Sequence, residues 1–280
     1  LVPVVSLFDQ VLGLQLLFAY VIADVSNLVL KWPLQGDRPY WMDPAVRQFG
    51  HNTCEVGFGM PSGHVQVTVA VYSLLAVSLG SRWFGFGVFF SVLLTAISRV
   101  HMGAHTVLQV SCGALAGILT AFLVLRSAGA IRTWSSRSFG TLSRVGNAFL
   151  VALVISGLIA GELQGLTWLG LDIYASVGKA TAACRGGLGH AVSSARGIAR
   201  DCGALLGAAM GRSLGLAFRP KHTLVSAAAA QQSDRRRPDW ITALVGLLCA
   251  YGMLEAVTAG GRFATESALL LLQGGGEEER

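Results

Sequence analysis

The sequence predicts an all-α fold, a polytopic bundle of transmembrane helices. Of its 280 residues, 53% are hydrophobic and only 13% are charged, and the mean hydropathy is +0.58. These values are typical of an integral membrane protein and exclude a soluble domain with a large core. Several apolar windows approach the roughly 20 residues that a bilayer-spanning helix needs. We therefore expect residues 1–280 to form a single integral-membrane domain.

Seven windows are candidates for these helices. They lie near residues 11–30, 64–81, 83–99, 106–126, 147–166, 202–218 and 239–258. The window 202–218 is the weakest, because it is rich in alanine and glycine and contains Arg212. The last apolar stretch, FATESALLLLQ, is too short for a span, and the chain begins inside apolar sequence without Met. We expect the native N-terminal helix and a complete last helix to be missing from this sequence.

The net charge of +6 is sorted by loop. Basic residues concentrate in the loops 126–146 and 219–238, which hold Arg126, Arg132, Arg137, Arg144, Arg219, Lys221 and Arg235–Arg237. They form no patch interleaved with exposed aromatic residues, so nucleic acid is not an expected partner. If the spans alternate, both loops lie on one side of the membrane, and the positive-inside rule makes that side cytoplasmic. The loops 31–63, 100–105, 167–201 and 259–263 then face the lumen or exterior.

Metal and disulfide chemistry has little support in the sequence. The five cysteines contain no CxxC pair and no zinc-ligand spacing. Cys54, Cys184 and Cys202 lie on the non-cytoplasmic side, where a disulfide can form, but their pairing stays open. His101 and His105 have the i, i+4 spacing of a zinc pair, yet no third ligand follows in register. We therefore predict no metal and no cofactor.

Basic and titratable residues cluster at the predicted non-cytoplasmic helix ends, namely Lys31, Arg38, His64, Arg99 and His105. Taken singly, each has an ordinary explanation, such as a lysine that snorkels to the interface. Together they form three motifs: K-x6-RP, PSGH and SR-x5-H. Helix ends on the same side of a bundle converge, and charge at membrane depth is costly and indicates a functional site.

These residue types suit a phosphoryl group. Its transition state spreads negative charge over three oxygens, which two guanidiniums and one ammonium can bind. Lys31, Arg38 and Arg99 supply them. Gly63 has no side chain to obstruct a phosphate, and Ser62 adds a donor at a helix start, where the helix dipole favours an anion.

The three motifs together resemble those of the type 2 phosphatidic acid phosphatase (PAP2) superfamily. The resemblance implies that His105 is the nucleophile, which becomes phosphorylated, and that His64 is the general acid and base. It also implies that the cationic side chains replace a metal ion. Both histidines and all three cations of the pattern are present.

One departure narrows the resemblance. Most of the superfamily has Asp four residues after the nucleophilic histidine, whereas HTVLQ places Gln109 there. The glucose-6-phosphatase family has Gln at this position, and NLVLKWPLQGDRPYW and TCEVGFGMPSGH also resemble that family. The resemblance implies hydrolysis of a hexose phosphate in the endoplasmic reticulum membrane, with a lumenal site coupled to a sugar-phosphate transporter. Gln109 would orient His105 by accepting its ring N–H, without the full charge of Asp.

Two acidic residues have competing interpretations. Asp24 shares a helix face with Asn27 and Lys31, so it either supports the site or makes a polar contact between helices. Glu55 either contacts a sugar hydroxyl or is a lumenal loop charge.

Two other functions compete with sugar-phosphate hydrolysis. A lipid phosphate phosphatase would open sideways into the bilayer, but Gln109 and the TCE sequence argue against it. A transporter or degenerate relative would use the basic pocket only to bind anions, and the complete set of cations and histidines argues against that.

Overall fold

The protein is described by a computed structural model. It describes residues 9–46, 55–136, 141–172 and 175–183, together with residues 5, 201 and 203–205. Over these ranges the chain is helical with no β-strand, apart from a single bridge residue, Glu55. The prediction of an all-α fold is confirmed.

Eight helices follow one another along the described ranges of the chain. They are α1 (Gln10–Leu34), α2 (Pro39–Met42), α3 (Gly63–Leu79), α4 (Arg82–His101), α5 (Val107–Arg126), α6 (Ala128–Ser136), α7 (Thr141–Trp168) and α8 (Ala175–Ala183). Five of the predicted spans coincide with α1, α3, α4, α5 and α7. Helix α1 continues beyond its predicted end, so Lys31 lies in its last turn rather than after it. The predicted span 239–258 and the FATESALLLLQ stretch lie outside the described residues, as does 202–218 except for residues 203–205.

Three helical segments are long and apolar enough to cross a membrane: Val11–Met42, Arg82–His101 and Val107–Arg126. Gly63–Leu79 and Leu153–Trp168 are apolar but shorter. No residue of α4 is buried, and its exposed side chains include Trp83, Phe86, Phe89, Phe90 and Leu94. A large exposed apolar face of this kind suits contact with lipid. The protein is therefore a multi-pass membrane protein.

Helix α3 is the centre of the bundle and packs most extensively on α5, then on α1 and α4. Two glycines allow α5 to approach it closely. A Cβ atom at Gly113 would lie 2.5 Å from the carbonyl oxygen of Ser62, and one at Gly117 would lie 2.5 Å from that of Gln66. Small residues at a helix interface are a common device in membranes, where close backbone approach replaces the hydrophobic effect as the source of packing energy.

The chain divides into two compact units. One consists of Leu1–Ser138 and Leu153–Ser194, and the other of Phe139–Ala152 and Ala195–Arg280. All the predicted site residues belong to the first unit. The single domain over residues 1–280 stays a prediction.

Candidate active site

The candidate site lies where the loop after α1, the segment before α3 and the turn between α4 and α5 meet. Backbone hydrogen bonds tie these pieces together. The N–H of Gly59 donates to the carbonyl of Gly36 at 2.7 Å, and the N–H of Ser62 donates to the carbonyl of Gln109 at 3.0 Å. Motifs that are far apart in sequence therefore share one end of the bundle.

His105 is buried, with 1% of its surface exposed. Its Nδ1 atom lies 2.8 Å from the carbonyl oxygen of Gly59 and 3.3 Å from Oε1 of Gln109. Because a carbonyl oxygen only accepts hydrogen bonds, Nδ1 must carry the proton. In the neutral ring Nε2 then has the free lone pair, and Nε2 is a buried atom without a hydrogen-bond partner among the described residues.

The surroundings of His105 keep its ring neutral. Burial, followed by the nearby charge of Arg38, lowers the pKa of His105 from 6.5 to about 3. Desolvation and a neighbouring cation both disfavour the imidazolium form. At neutral pH the ring is therefore an uncharged base with its lone pair on Nε2, which is the form that attacks phosphorus.

Gln109 holds this arrangement in two ways. Thr106 caps α5 by accepting a hydrogen bond from the N–H of Gln109 at 3.2 Å, and Oε1 of Gln109 accepts from the N–H of Thr106 at 3.1 Å, which completes a capping box. The amide Nε2 of Gln109 donates to the carbonyl of Asp37 at 2.7 Å. The same side chain thus starts a helix, contacts His105 and ties the loop after α1. The Thr-x-x-Gln spacing is a sequence signal for this cap.

Arg38 is fully buried, and most of the N–H groups of its guanidinium bind protein groups. Its Nε donates to Gly57 at 2.8 Å, its Nη1 to Ala104 at 3.2 Å and its Nη2 to Phe58 at 3.3 Å, in each case to a carbonyl oxygen. Nη2 also forms an ion pair with Oε2 of Glu55 at 2.6 Å. Four of the five N–H groups are thereby engaged, which leaves one on Nη1 for a ligand.

Glu55 has a role that was not predicted from the sequence, as the ion-pair partner of Arg38. Burial alone would raise its pKa, but the positive charges of Arg38 and Lys31, with smaller contributions from His105 and His64, lower that pKa from 4.5 to about 2. Its backbone N–H also donates to the hydroxyl oxygen of Tyr40 at 3.2 Å. Glu55 is therefore an ionised counter-charge inside the cationic cluster, and no sequence motif identified this pairing.

The PSGH turn is shaped by packing as well as by any ligand. Ser62 is the N-cap of α3, and its Oγ is buried without a hydrogen-bond partner among the described residues. A Cβ atom at Gly63 would lie 2.8 Å from Oδ1 of Asn27. A side chain at position 63 would therefore displace the amide of Asn27, which favours glycine there beyond the space that a phosphate needs.

A buried amide network fixes this turn from the side of α1. Nδ2 of Asn27 donates to the carbonyl of Pro61 at 3.0 Å and to Oε1 of Gln66 at 2.9 Å. Nε2 of Gln66 donates to the hydroxyl of Ser26 at 2.9 Å. Since these hydrogen bonds join side chains of both helices, the network sets the position of the turn relative to α1.

The other predicted site residues lie around this core. His64 is exposed in the first turn of α3. It interacts electrostatically with Arg99, Glu55 and Lys31. The backbone carbonyl of Arg99 accepts a hydrogen bond from the N–H of His105 at 3.3 Å. The side-chain Nε of Arg99 is buried without a hydrogen-bond partner among the described residues. Lys31 interacts electrostatically with Arg38, Glu55 and Asp24.

In the part of the chain that the structure describes, no three His, Cys, Asp or Glu side chains are placed to hold a metal ion.

The chain is similar in sequence to known proteins. A family model described as the PAP2 superfamily matches residues 12–132. Glucose-6-phosphatase catalytic subunit 1 of Bos taurus is 32% identical over 213 residues, covering 66% of this chain and 56% of that protein. The protein of the same name from Rattus norvegicus is 31% identical over 216 residues with the same coverage. Glucose-6-phosphatase 2 of Homo sapiens is 31% identical over 148 residues, covering 42% of this chain and 41% of that protein.

No solved structure matches the chain significantly. The chain spans a little over half the length of the first of these relatives. The matched residues 12–132 contain every residue that the sequence motifs assign to the site. Residues 12–132 therefore form a domain of the PAP2 superfamily, and the chain is similar over two thirds of its length to the glucose-6-phosphatases.

Proposed function

We propose that the protein is a phosphoric monoester hydrolase that converts a hexose phosphate to free sugar and inorganic phosphate through a phosphohistidine. The observation that carries the proposal is the state of His105, a buried neutral ring with Nδ1–H bound to the carbonyl of Gly59 and Nε2 without a partner among the described residues. A nucleophile needs a free lone pair and a fixed direction, and this environment provides both.

In the first step, Nε2 of His105 attacks phosphorus while the bond from phosphorus to the sugar oxygen breaks. His64 donates a proton to the departing alkoxide, so free sugar leaves. The ring of His105 gains positive charge as the phosphohistidine forms. The carbonyl of Gly59 and Oε1 of Gln109, at 2.8 and 3.3 Å from Nδ1, stabilise that charge as acceptors.

In the second step, water attacks the phosphohistidine. His64, now neutral, takes a proton from the water, and the bond from phosphorus to Nε2 breaks. Inorganic phosphate leaves and both histidines return to their starting forms. The exposure of His64 at the start of α3 gives it access to the solvent that this step consumes.

Three cations and one hydroxyl would hold the phosphoryl oxygens. Lys31 and Arg99 supply charge, and Arg38 supplies its remaining N–H together with its charge. The buried, unpartnered Oγ of Ser62 at the start of α3 is a further donor among the described residues. Because Glu55 offsets part of this charge, the site is less strongly cationic than the three residues alone would make it.

The preference for a sugar phosphate is tested by comparing substrates. Membranes from cells expressing the full-length protein should hydrolyse glucose 6-phosphate faster than phosphatidate. Membranes carrying His105→Ala at the same expression level are the control for other phosphatases. If phosphatidate is hydrolysed and glucose 6-phosphate is not, the protein is a lipid phosphate phosphatase instead.

We place the active site on the lumenal side of the endoplasmic reticulum membrane, with substrate delivered by a sugar-phosphate transporter. The basic loops 126–146 and 219–238 support this orientation through the positive-inside rule. Activity in sealed microsomes should then be latent and should rise when detergent opens them. Equal rates before and after permeabilisation, with a substrate that has no transporter, would contradict a lumenal site.

A further inference from the structure

An ion pair joins the last described helix to the loop that carries Arg38. Nζ of Lys179, on α8, lies 2.7 Å from both carboxylate oxygens of Asp37. Asp37 directly precedes Arg38 in the sequence. The sequence motifs assign no role to Lys179.

The backbone of Asp37 continues this contact towards the nucleophile. Its carbonyl oxygen accepts a hydrogen bond from Nε2 of Gln109 at 2.7 Å. Oε1 of the same Gln109 lies 3.3 Å from Nδ1 of His105. A continuous series of polar contacts therefore runs from Lys179 through Asp37 and Gln109 to His105.

Helix α8 is held against this loop by other contacts. Ala180 is completely buried and packs in one apolar cluster with Tyr40, while Trp41, Val56 and Ala183 lie at its edge. Nε2 of Gln35 donates to the carbonyl of Asp172 at 3.2 Å, just before α8. Lys179 therefore sits on a docked helix, which gives its ammonium a defined position beside Asp37.

The charge of Asp37 explains why such a partner is needed. A phosphate monoester is an anion, and the structure has a carboxylate beside the residue that would bind it. Like charges repel, and around a partly buried carboxylate water screens them less than it does on an open surface. Lys179 and Asp37 are 44% and 29% exposed, so the pair itself adds little to stability. Its effect should instead appear in the binding of an anion.

We propose that Lys179 is a positioning residue for the phosphate site: by pairing with Asp37 it neutralises that carboxylate and fixes the loop that carries Arg38 and holds Gln109. The inference rests on the proposed function in assuming that the site takes a phosphate monoester. It assigns Lys179 no contact with the substrate.

The test uses the full-length enzyme with Lys179→Met, Asp37→Asn and the double variant. Lys179→Met should raise KM for the hexose phosphate and weaken inhibition by vanadate about tenfold at low salt, since each tenfold change corresponds to about 1.4 kcal/mol of binding energy. The loss should shrink as salt is added, because salt screens the partly exposed carboxylate. Adding Asp37→Asn to Lys179→Met should restore most of the affinity by removing the repelling charge.

Two further variants separate positioning from damage to α8. Lys179→Arg keeps a cation that can pair with Asp37 and should behave like the parent. Thr181→Val is the matched control on the same helix, because the hydroxyl of Thr181 donates to the carbonyl of Val177 within α8. It should leave KM and the salt dependence unchanged.

Three results would overturn the proposal. One is an unchanged KM and vanadate affinity in Lys179→Met, even if its melting temperature falls. Another is a double variant at least as impaired as Lys179→Met, which would mean that Lys179 binds the substrate itself. The third is a Lys179→Arg variant as weak as Lys179→Met. If glucose 6-phosphate proves not to be a substrate, the shift in melting temperature caused by inorganic phosphate still tests the pair in the same variants, so the two failures are distinguishable.

Discussion

The two halves of the bundle formed by α1, α3 and α5 are held together differently. In one half, apolar side chains from all three helices form a continuous buried cluster of Leu16, Ala19, Val71, Leu74, Leu75 and Val124. In the half that carries the site, the buried residues include Asn27, Arg38, Gln66, His105 and Gln109. The same helices thus pass from non-directional packing to directional hydrogen bonding.

The difference predicts two kinds of sensitivity. Apolar packing depends on volume, so a change there should alter stability and leave the chemistry of folded molecules intact. A buried polar group forms hydrogen bonds with particular partners. Removing one partner leaves the other buried without a hydrogen bond, which costs about 1–3 kcal/mol. Changes in the site half should therefore reduce activity even in molecules that remain folded.

The largest effect should come from the nucleophile. His105→Ala should lower turnover by about 10⁴-fold or more, because a residue that forms a covalent intermediate has no substitute. Rapid quench in alkaline detergent with labelled substrate should detect no acid-labile phosphoenzyme in this variant. His101→Ala, at the end of α4, is the control and should still form it. A labelled phosphoenzyme in His105→Ala would place the nucleophile elsewhere, with His101 as the first alternative.

The effect of substituting His64 should depend on the leaving group of the substrate. His64→Ala should slow phosphoenzyme formation from a sugar phosphate by about 10³-fold, within the usual range for general acid catalysis, because an alkoxide leaves poorly without a proton. p-Nitrophenyl phosphate needs little protonation and should be affected much less. Each tenfold difference corresponds to about 1.4 kcal/mol of barrier. Equal losses for both substrates in this first step would make His64 a phosphate-binding residue.

Substitutions of Arg38 and Arg99 should have similar effects on turnover and different effects on stability. Arg38→Lys and Arg99→Lys should each lower turnover about 100-fold, because a lysine cannot reproduce the planar donors of a guanidinium and a charge-assisted bond contributes about 1.5–3 kcal/mol. Only Arg38→Lys should also lower the melting temperature, since Arg38 binds the carbonyls of Gly57, Phe58 and Ala104 and pairs with Glu55. Near-normal turnover in either variant would remove that arginine from the site.

The comparison of the two halves can be tested with one variant in each. Gly59→Ala would bring a Cβ atom within 2.6 Å of Oε1 of Gln109, so it should displace the amide beside His105 and lower kcat about tenfold. Leu74→Ala should leave kcat per folded molecule unchanged and lower the unfolding free energy by about 2 kcal/mol, near the low end for this change because lipid is as apolar as leucine. A loss of kcat in Leu74→Ala with none in Gly59→Ala would reverse the comparison.

The smallest effect concerns pH. His105 has a pKa of about 3 in the folded protein against 6.5 when unfolded, so between these values the unfolded state binds a proton that the folded state does not. Stability should therefore fall as pH decreases below 6.5, by about 2 kcal/mol at pH 5 from this group. Glu55 acts in the same direction, but only below its unfolded pKa of 4.5.

Melting temperatures at pH 7.5 and pH 5 check this prediction in detergent. The drop between the two should be smaller for His105→Asn than for the parent, since the variant has no ring to protonate. Identical drops would show that His105 is not kept neutral by its surroundings.

Some of the site could be predicted because its signals are local. The K-x6-RP, PSGH and SR-x5-H motifs identify Lys31, Arg38, His64, Arg99 and His105 as candidates from residue types and spacing, and their roles stay a prediction. The Thr-x-x-Gln capping box at 106–109 was equally readable, but its second role beside His105 was inferred only from the family resemblance. The pairing of Glu55 with Arg38 had no such signal and was missed.

The sequence by itself determined the all-α class, five of the helices and the set of residues that we propose to carry the chemistry. Apolar length and misplaced charge are properties of short segments, so they can be read without knowing how the segments pack. The tertiary structure alone decided that Nδ1 of His105 faces Gly59, that Arg38 is almost saturated by protein groups, and that Lys179 reaches Asp37. Each of these joins residues far apart in the chain, and a hydrogen bond depends on distance and direction in space, which residue spacing along a sequence does not specify.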